Sequence, residues 1–239
     1  NTAVGYQALQ INNDDHNVAV GYLAGKGASG GQFEQGVYIG SNAGKSLTTG
    51  DANTIIGYNA GSTLDIGASN TLVGLGAGDA MTDSSNTVLI GKNAGGAINN
   101  NDADGTVAVG TTALAALTEG QYNTAVGFEA GAQITNVDNN TLMGYQAGYT
   151  ASTGMGNCVA LGGYALYANN NIHNTAVGYY AAGRLTGQYN VAIGSQAGAW
   201  MSSADTSVAI GYRAGGDSGT ALTGNNNTSV GRAAGINFQ

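Results

Sequence analysis

Proline is absent from this chain of 239 residues, and charged residues make up only 8% of it. Without proline, every residue keeps the backbone N–H that a ladder of stacked strands needs. Cys158 is the single cysteine, so no disulfide can form within the chain, and we expect a small buried thiol. Apolar residues still account for 42% of the sequence and recur at regular positions, which argues against intrinsic disorder.

Positive charge and long apolar runs are also scarce. Six Lys and Arg residues stand against fourteen Asp and Glu, which gives a net charge of −8 and a pI near 4.3. Nucleic-acid-binding proteins cluster their basic residues, so we predict no nucleic-acid partner. The apolar runs are far shorter than the roughly 18 residues that a membrane helix needs, so we predict no direct membrane insertion.

Glycine, by contrast, is abundant, and much of it marks an internal repeat. Segments such as NTAVGYQAL, NTIIGYNAG and NVAIGSQAG recur every 16 to 20 residues. A fixed period of this kind is typical of solenoid proteins, so we predict about fourteen coils with their repeat glycines stacked in one line. The repeat glycines are Gly5, Gly21, Gly40, Gly57, Gly74, Gly91, Gly110, Gly127, Gly144, Gly162, Gly178, Gly194, Gly211 and Gly231.

The segment before each repeat glycine reads as a short strand with three kinds of position. The residue directly before the glycine is Val, Ile, Leu or Met in all fourteen coils, and we expect this column to be buried. The residue three before the glycine is Thr in seven coils and Val in seven, and we expect it to face inward as well. The middle residue is Ala in eight coils and points to the opposite face. A strand that is apolar on both faces is covered on both.

A second short segment follows each repeat glycine. Its third residue is Ala in every coil and the next is Gly in ten, which indicates a crowded position. Turns rich in Asn, Asp, Ser, Thr and Gly complete the coil, and the longest are 25–35, 95–105 and 215–227. Nine coils carry a large apolar residue seven after the glycine, which we interpret as the opposite wall: Leu47, Leu64, Met81, Ile98, Leu117, Ile134, Leu185, Met201 and Phe238.

No cluster of residues typical of catalysis stands out. His16 and His173 lie about nine coils apart, too far to share a metal ion at roughly 4.8 Å per coil. The closest carboxylate pairs are Asp14 with Asp15 and Asp102 with Asp104, but the spacing of a calcium-binding loop is missing. We therefore predict no catalytic residue, no metal ion and no cofactor.

Two arrays on the coils are compatible with ligand binding. An aromatic residue directly follows the repeat glycine in seven coils, and these rings either pack along the solenoid or between chains, or bind the faces of sugars. The Thr column would suit an ice-binding solenoid if it faced solvent, but its exchange with Val predicts that it faces inward. The candidate receptor contacts are Tyr6, Tyr22, Tyr58, Tyr145, Tyr179, Tyr212, Asp102, Asp104 and Trp200.

The repeat unit [N/T]-[T/V]-A-[V/I]-G-x-x-A-G resembles the head repeats of trimeric autotransporter adhesins of the YadA-like type and related repeats of bacteriophage tail fibres. The resemblance covers the whole chain and is specific at the Val/Ile-Gly strand. It departs in the added x-x-Ala-Gly, in the Tyr after the glycine and in a longer period. The resemblance implies a left-handed parallel β-roll, three chains side by side, and attachment to a cell surface from an extracellular location.

The sequence thus predicts an all-β parallel β-solenoid in which residues 1–239 form one repeat domain of a longer fibrous chain. The predicted function is a structural and adhesive module of a phage tail fibre or bacterial surface adhesin that mediates attachment to a host cell surface. The rigid β-roll is the predicted scaffold, the variable turns are the predicted contact surface, a host cell-surface glycan or protein is the predicted partner, and we predict no enzymatic activity. Two alternatives are a fibre-borne polysaccharide-degrading enzyme and an ice-binding solenoid. The predicted homotrimer interface includes the middle strand column, for example Ala19, Ile55, Leu72, Leu142 and Ala192.

Overall fold

The computed structural model describes residues 1–99, 103–150, 154–169, 171–217, 220–221 and 224–235. The chain divides into two compact units, Asn1–Tyr122 and Asn123–Gln239. Each unit is a parallel β-solenoid of short strands joined by turns, and the described residues contain no α-helix. The predicted all-β solenoid class is therefore confirmed, while the left-handed roll and the single repeat domain over 1–239 stay predictions.

The sheet of the first unit consists of seven parallel strands, each paired with the next along the chain. Thr2 pairs with Val18 and Val18 pairs with Val37, so the chain completes one coil between successive strands. The strands are β1 Thr2–Val4, β2 Val18–Val20, β3 Val37–Ile39, β4 Thr54–Ile56, β5 Thr71–Val73, β6 Val88–Ile90 and β7 Val107–Val109.

The second unit repeats this arrangement with seven parallel strands and adds a small antiparallel pair. In that pair Gly216 lies opposite Ala221, so part of the predicted turn 215–227 is a hairpin. The parallel strands are β8 Thr124–Val126, β9 Thr141–Met143, β10 Val159–Leu161, β11 Thr175–Val177, β12 Val191–Ile193, β13 Val208–Ile210 and β16 Thr228–Val230. The antiparallel strands are β14 Gly216–Asp217 and β15 Thr220–Ala221.

The repeat glycine ends each parallel strand because only glycine fits there. Its φ lies between 122° and 142° in all fourteen coils, a region that residues with a β-carbon rarely adopt. A β-carbon on Gly40 would lie 2.6 Å from the carbonyl oxygen of Gly57, and one on Gly162 would lie 2.7 Å from that of Gly178. Within each unit the repeat glycines are therefore stacked, as predicted.

Two left-handed residues turn the chain after each repeat glycine. The second residue after the glycine has a φ of 51° to 61° in every coil, and Asn42 and Asn59 are examples. The fourth residue after the glycine is also left-handed in every coil, which explains why Gly occupies it in ten. The Ala between them, for example Ala43 or Ala60, is thereby carried into the core, so the predicted crowded position is confirmed.

The assignment of the two strand faces from the sequence is wrong. The middle column lines the core of each unit, and Ala19, Ile55, Leu72, Leu142 and Ala192 are fully buried within their own chain. They are therefore not available as an interface between chains. The column directly before the glycine points outward instead, with exposures such as 37% for Ile90 and 38% for Val20. The Thr/Val column lies on the same outward face, half-buried or exposed.

The thinness of the coil explains the inversion. A coil of 16 to 20 residues encloses one narrow core, in which the middle strand column meets the Ala column and the wall of large apolar residues. That wall is confirmed, since Leu47, Leu64 and Met81 are fully buried; Phe238, the last predicted member, lies outside the described residues. The middle column is Ala in eight coils, which leaves room for the wall, and where it is larger, as at Ile55 and Leu72, that side chain is also enclosed in the core.

An asparagine ladder runs inside each unit, and the sequence analysis did not predict it. Asn residues four before the repeat glycine, such as Asn53, Asn70, Asn174 and Asn190, are buried, and each of these accepts the backbone N–H of the equivalent residue in the next coil. In the first unit the side-chain Oδ1 of Asn53 accepts the N–H of Asn70 at 2.9 Å. In the second unit Asn174 accepts from Asn190 at 2.9 Å, and Asn190 accepts from Ser207 at 2.9 Å. The amide groups donate to turn carbonyls, so the buried amides are satisfied.

The third coil packs two aromatic rings into the core. Phe33 and Tyr38 are fully buried and meet edge to face at 5.6 Å. Gly36 replaces the ladder asparagine here because a β-carbon at this position would overlap the Tyr38 ring. Phe33 belongs to the turn 25–35, so this turn is partly a core element and not only the contact surface that the sequence predicted.

Candidate functional site

The outward sheet face is the most regular surface of each unit. Every parallel strand contributes two outward side chains, one Thr or Val and one large aliphatic residue. Strand pairing places Thr54 next to Thr71 and Ile56 next to Val73, but it places Thr2 next to Val18. The face therefore presents one continuous row of aliphatic side chains and one row in which Thr and Val are mixed, both at the strand spacing of roughly 4.8 Å.

The aromatic column after the repeat glycine also lies on the surface. Tyr6, Tyr22, Tyr58 and Tyr212 are all about half exposed or more. Tyr6 and Tyr22 stack with ring centroids 5.4 Å apart and planes 10° apart, as expected for rings that pack along the solenoid. The guanidinium of Arg232 lies 6.0 Å from the Tyr212 ring.

The aromatic residues of the second unit form a larger cluster than the sequence predicted. Tyr145 stacks on Phe128, with centroids 5.6 Å apart and planes 7° apart. Tyr164, which was not predicted, contacts both Tyr145 and Tyr179 edge to face at 5.1 Å and 5.8 Å. A hydrogen bond with Tyr164 is the main cause that raises the pKa of the Tyr145 phenol. Tyr145 and Tyr179 are therefore brought together through a third ring.

The remaining predicted contacts are scattered. Asp104 accepts the backbone N–H of Ser85 at 2.7 Å, so its carboxylate supports a turn. Trp200 lies in the second unit beneath the guanidinium of Arg184, 5.0 Å from the ring centroid. Asp102 lies outside the described residues. Of the turn 215–227 the structure describes 215–217, 220–221 and 224–227, and the antiparallel strands β14 and β15 lie in the first two of these segments.

Titratable groups in the core are held neutral. Burial is the main cause that raises the pKa of the Cys158 thiol from 9.0 to about 11, and the thiol is free, as predicted for a small buried cysteine. Burial, with a smaller effect of the Asp51 carboxylate, raises the pKa of the Tyr38 phenol. In the part of the chain that the structure describes, no three or more His, Cys, Asp or Glu residues are grouped to hold a metal ion.

The described residues also include no helix that is both long and apolar enough to cross a membrane. The chain matches no protein-family model, and no curated protein or solved structure is detectably similar to it. The resemblance to adhesin heads and tail fibres, and the predicted absence of enzymatic activity, thus stay predictions. The two surfaces described above are the features that can carry a function.

Proposed function

We propose that this chain is a structural and adhesive module of an extracellular fibre, assembled from three copies and mediating attachment to a host cell surface. The single observation that supports this proposal is the outward sheet face. Its large aliphatic side chains are exposed or half-buried, while the core of the coil is already filled by other columns. A second layer from another copy of the chain gives this face the cover that its composition calls for.

The size of the face supports assembly. Seven strands at roughly 4.8 Å, each with three residues at roughly 3.3 Å, span about 300 Å² in each unit. Contiguous apolar patches of about 300 to 600 Å² are the largest on typical monomers and often mark interaction sites. The middle strand column cannot form the trimer interface because it is buried. The proposed interface therefore consists of outward residues such as Val73, Ile90, Ile193 and Ile210.

The repeats indicate which parts of the module are structural and which can bind a receptor. The stacked glycines, the Ala column and the asparagine ladder recur from coil to coil with little variation, so they cannot specify one receptor. The hairpin of β14 and β15 and the aromatic cluster each occur at one place in the second unit. Three copies of either surface on one fibre would convert weak contacts into useful avidity.

Turn trimming tests where attachment resides. We would shorten 215–227 and 25–35 separately to the length of 45–53, and measure binding of the fluorescently labelled chain to a panel of different cell types. We expect the 215–227 variant to lose attachment with an unchanged melting temperature. The 25–35 variant is the matched control, and we expect it to lose stability because Phe33 leaves the core. Full attachment by the trimmed 215–227 variant would remove the hairpin from the proposed contact surface.

Ice binding is a second candidate, and one observation now favours it. The argument against it was that the Thr column faces inward, but Thr54, Thr71, Thr124 and Thr141 lie on the outward face. An ice-binding solenoid needs regular hydroxyl and methyl rows on an exposed sheet, and here Thr residues are adjacent in two pairs, Thr54 with Thr71 and Thr124 with Thr141. The test is inhibition of ice recrystallisation by the wild type and by a Thr71→Lys variant. In the proposed trimer this face is covered and cannot contact ice. A wild type that is trimeric and does not inhibit recrystallisation would therefore contradict ice binding.

A further inference from the structure

Seven aromatic rings in consecutive coils of the second unit form one connected surface. Beyond Tyr145, Tyr164 and Tyr179, it includes a stack of Tyr149 on Tyr167 with centroids 5.4 Å apart. Tyr167 also contacts Tyr164 at 5.5 Å, so Tyr164 joins the two rows of rings. The seven rings of this aromatic surface are Phe128, Tyr145, Tyr149, Tyr164, Tyr167, Tyr179 and Tyr180.

Arg184 extends the aromatic surface toward Trp200. Its Nε donates a hydrogen bond to the Tyr180 hydroxyl at 3.2 Å, and its guanidinium lies over the Trp200 ring. The indole is thereby linked to the tyrosines through a cation–π contact. The only tryptophan of the chain thus lies beside its largest group of tyrosines.

Core packing does not explain these rings. Tyr145 and Tyr179 are 46% and 55% exposed, and Tyr164 and Tyr180 are half-buried. Tyr164 and Tyr180 also have φ of 58° and 53°, a conformation that is unfavourable for a bulky side chain. Every coil is left-handed at this position, which Asn occupies at Asn42 and Asn59 and larger side chains occupy at Leu23 and Arg213. Exposed and half-buried rings that are grouped on one surface are available to a ligand.

Charge and periodicity indicate the class of ligand. The aromatic surface has one carboxylate at one end, on Glu129 beside Gln146, and one guanidinium at the other, on Arg184. The chain as a whole carries a net charge of −8, which disfavours an acidic polymer. Rings recur about once per coil along the stacking direction, which suits a linear polymer that also repeats a ring. Tyrosine hydroxyls beside aromatic faces match the hydroxyls and C–H faces of sugars.

We propose that this aromatic surface binds a neutral linear polysaccharide, which lies across the exposed parts of Tyr145 and Tyr179 and also contacts the half-buried rings of Tyr164 and Tyr180. The inference deepens the proposed attachment function by naming the site and the ligand class, and it rests on that function only for its biological role. Binding itself requires one folded chain, because every residue of the surface belongs to the second unit.

The test uses Tyr164→Asn and Tyr180→Asn, since Asn occupies the same left-handed position in other coils. Tyr189→Asn is the matched control: Tyr189 is exposed and left-handed too, but stacks on His173 outside the aromatic surface. The probes are cellohexaose, laminarihexaose and chitohexaose in calorimetric titrations, with polygalacturonate as the acidic comparison. Melting temperature and sedimentation are measured for every variant.

We expect the wild type to bind at least one neutral hexasaccharide. The Tyr164→Asn and Tyr180→Asn variants should each weaken binding by about tenfold with an unchanged or higher melting temperature, and Tyr189→Asn should bind as the wild type does. Absence of binding to all three neutral probes, a preference for polygalacturonate, or loss of self-association in Tyr164→Asn would each overturn the inference. If no sugar binds but the chain still forms trimers and attaches to cells, the polysaccharide inference fails and the proposed function stands. If the chain binds sugars but is a monomer that attaches to no cell, the proposed function fails and the polysaccharide inference stands.

Discussion

Removing one rung of the asparagine ladder is a direct test of what holds the coils together. Asn190 is buried, and its Oδ1 accepts the N–H of Ser207 at 2.9 Å. Its Nδ2 donates to the carbonyl of Ala204 at 2.8 Å and to that of Gln188 at 3.0 Å. The Asn190→Ala variant removes all of these bonds while leaving the backbone conformation accessible.

The expected loss follows from the groups left behind. Ser207 N–H and the Ala204 carbonyl would lose their bonds to Asn190, and each buried polar group left unsatisfied costs about 1 to 3 kcal/mol. We therefore expect the free energy of unfolding to fall by about 3 kcal/mol in Asn190→Ala. Asn190→Ser is the matched control, because the Ser207 hydroxyl already accepts the N–H of Asn227 at 3.1 Å in the following coil. Serine keeps a hydrogen-bond acceptor, so we expect Asn190→Ser to lower the free energy of unfolding by about half as much as Asn190→Ala.

Urea unfolding followed by circular dichroism measures both variants against the wild type. The expected order of stability is wild type, then Asn190→Ser, then Asn190→Ala, with unchanged native spectra. A loss below about 0.5 kcal/mol in Asn190→Ala, the range of ordinary surface substitutions, would show that the ladder does not support the fold. Equal losses in the two variants would refute the assignment of the stabilising bond to the Oδ1 acceptor.

Three further outcomes follow from the core. Tyr38→Phe should raise the free energy of unfolding by about 1 kcal/mol, because the buried Tyr38 hydroxyl has no hydrogen-bond partner among the described residues; a decrease in urea unfolding would contradict this. Gly162→Ala should cost at least about 3 kcal/mol through backbone strain and the clash with Gly178, while the exposed Gly224→Ala should be close to neutral in the same assay. Folding raises the pKa of the Cys158 thiol from 9.0 to about 11, so its contribution to stability is complete below pH 9 and is lost as the pH rises through 11. A Cys158→Ser variant should lose less stability than the wild type between those two pH values, and equal losses would argue against the raised pKa.

The periodic part of the fold was predictable because each coil faces the same constraints. Glycine is the residue type that fits the stack at Gly40 and the equivalent positions. Ala43 occupies a crowded turn, and Leu47 belongs to the opposite wall of the coil. These positions repeat in the sequence for the same reason that they repeat in space. The residue types at these repeated positions were therefore sufficient to predict the solenoid.

The direction of the strand faces was not predictable in the same way. Alternation states only that Leu89 and Ile90 point to opposite sides, and both are large and apolar. The core side was decided by the thin coil, which accepts many Ala residues opposite a bulky wall. The ladder was missed because Asn before a strand usually indicates a turn, and its burial depends on partners in the next coil, such as Asn70 beyond Asn53.

The aromatic surface was missed in part for a related reason. Tyr145 and Tyr179 share a column and were predicted as candidate contacts, but Tyr164 stands one position later in its coil. Its contacts with both rings require the coils to be stacked and the left-handed turn to be in place. Spacing along the chain does not reveal such a contact.

The outward face is the basis of the proposed assembly, and sedimentation equilibrium of the chain at micromolar concentration tests it most directly. Wild type is expected at three times the chain mass of 23.6 kDa. Ile193→Lys with Ile210→Lys places two charges on the outward face and should give single chains with unchanged circular dichroism, while Ser203→Lys in an exposed turn should remain assembled. A wild type that sediments as a single chain, or a double variant that still assembles, would contradict the account.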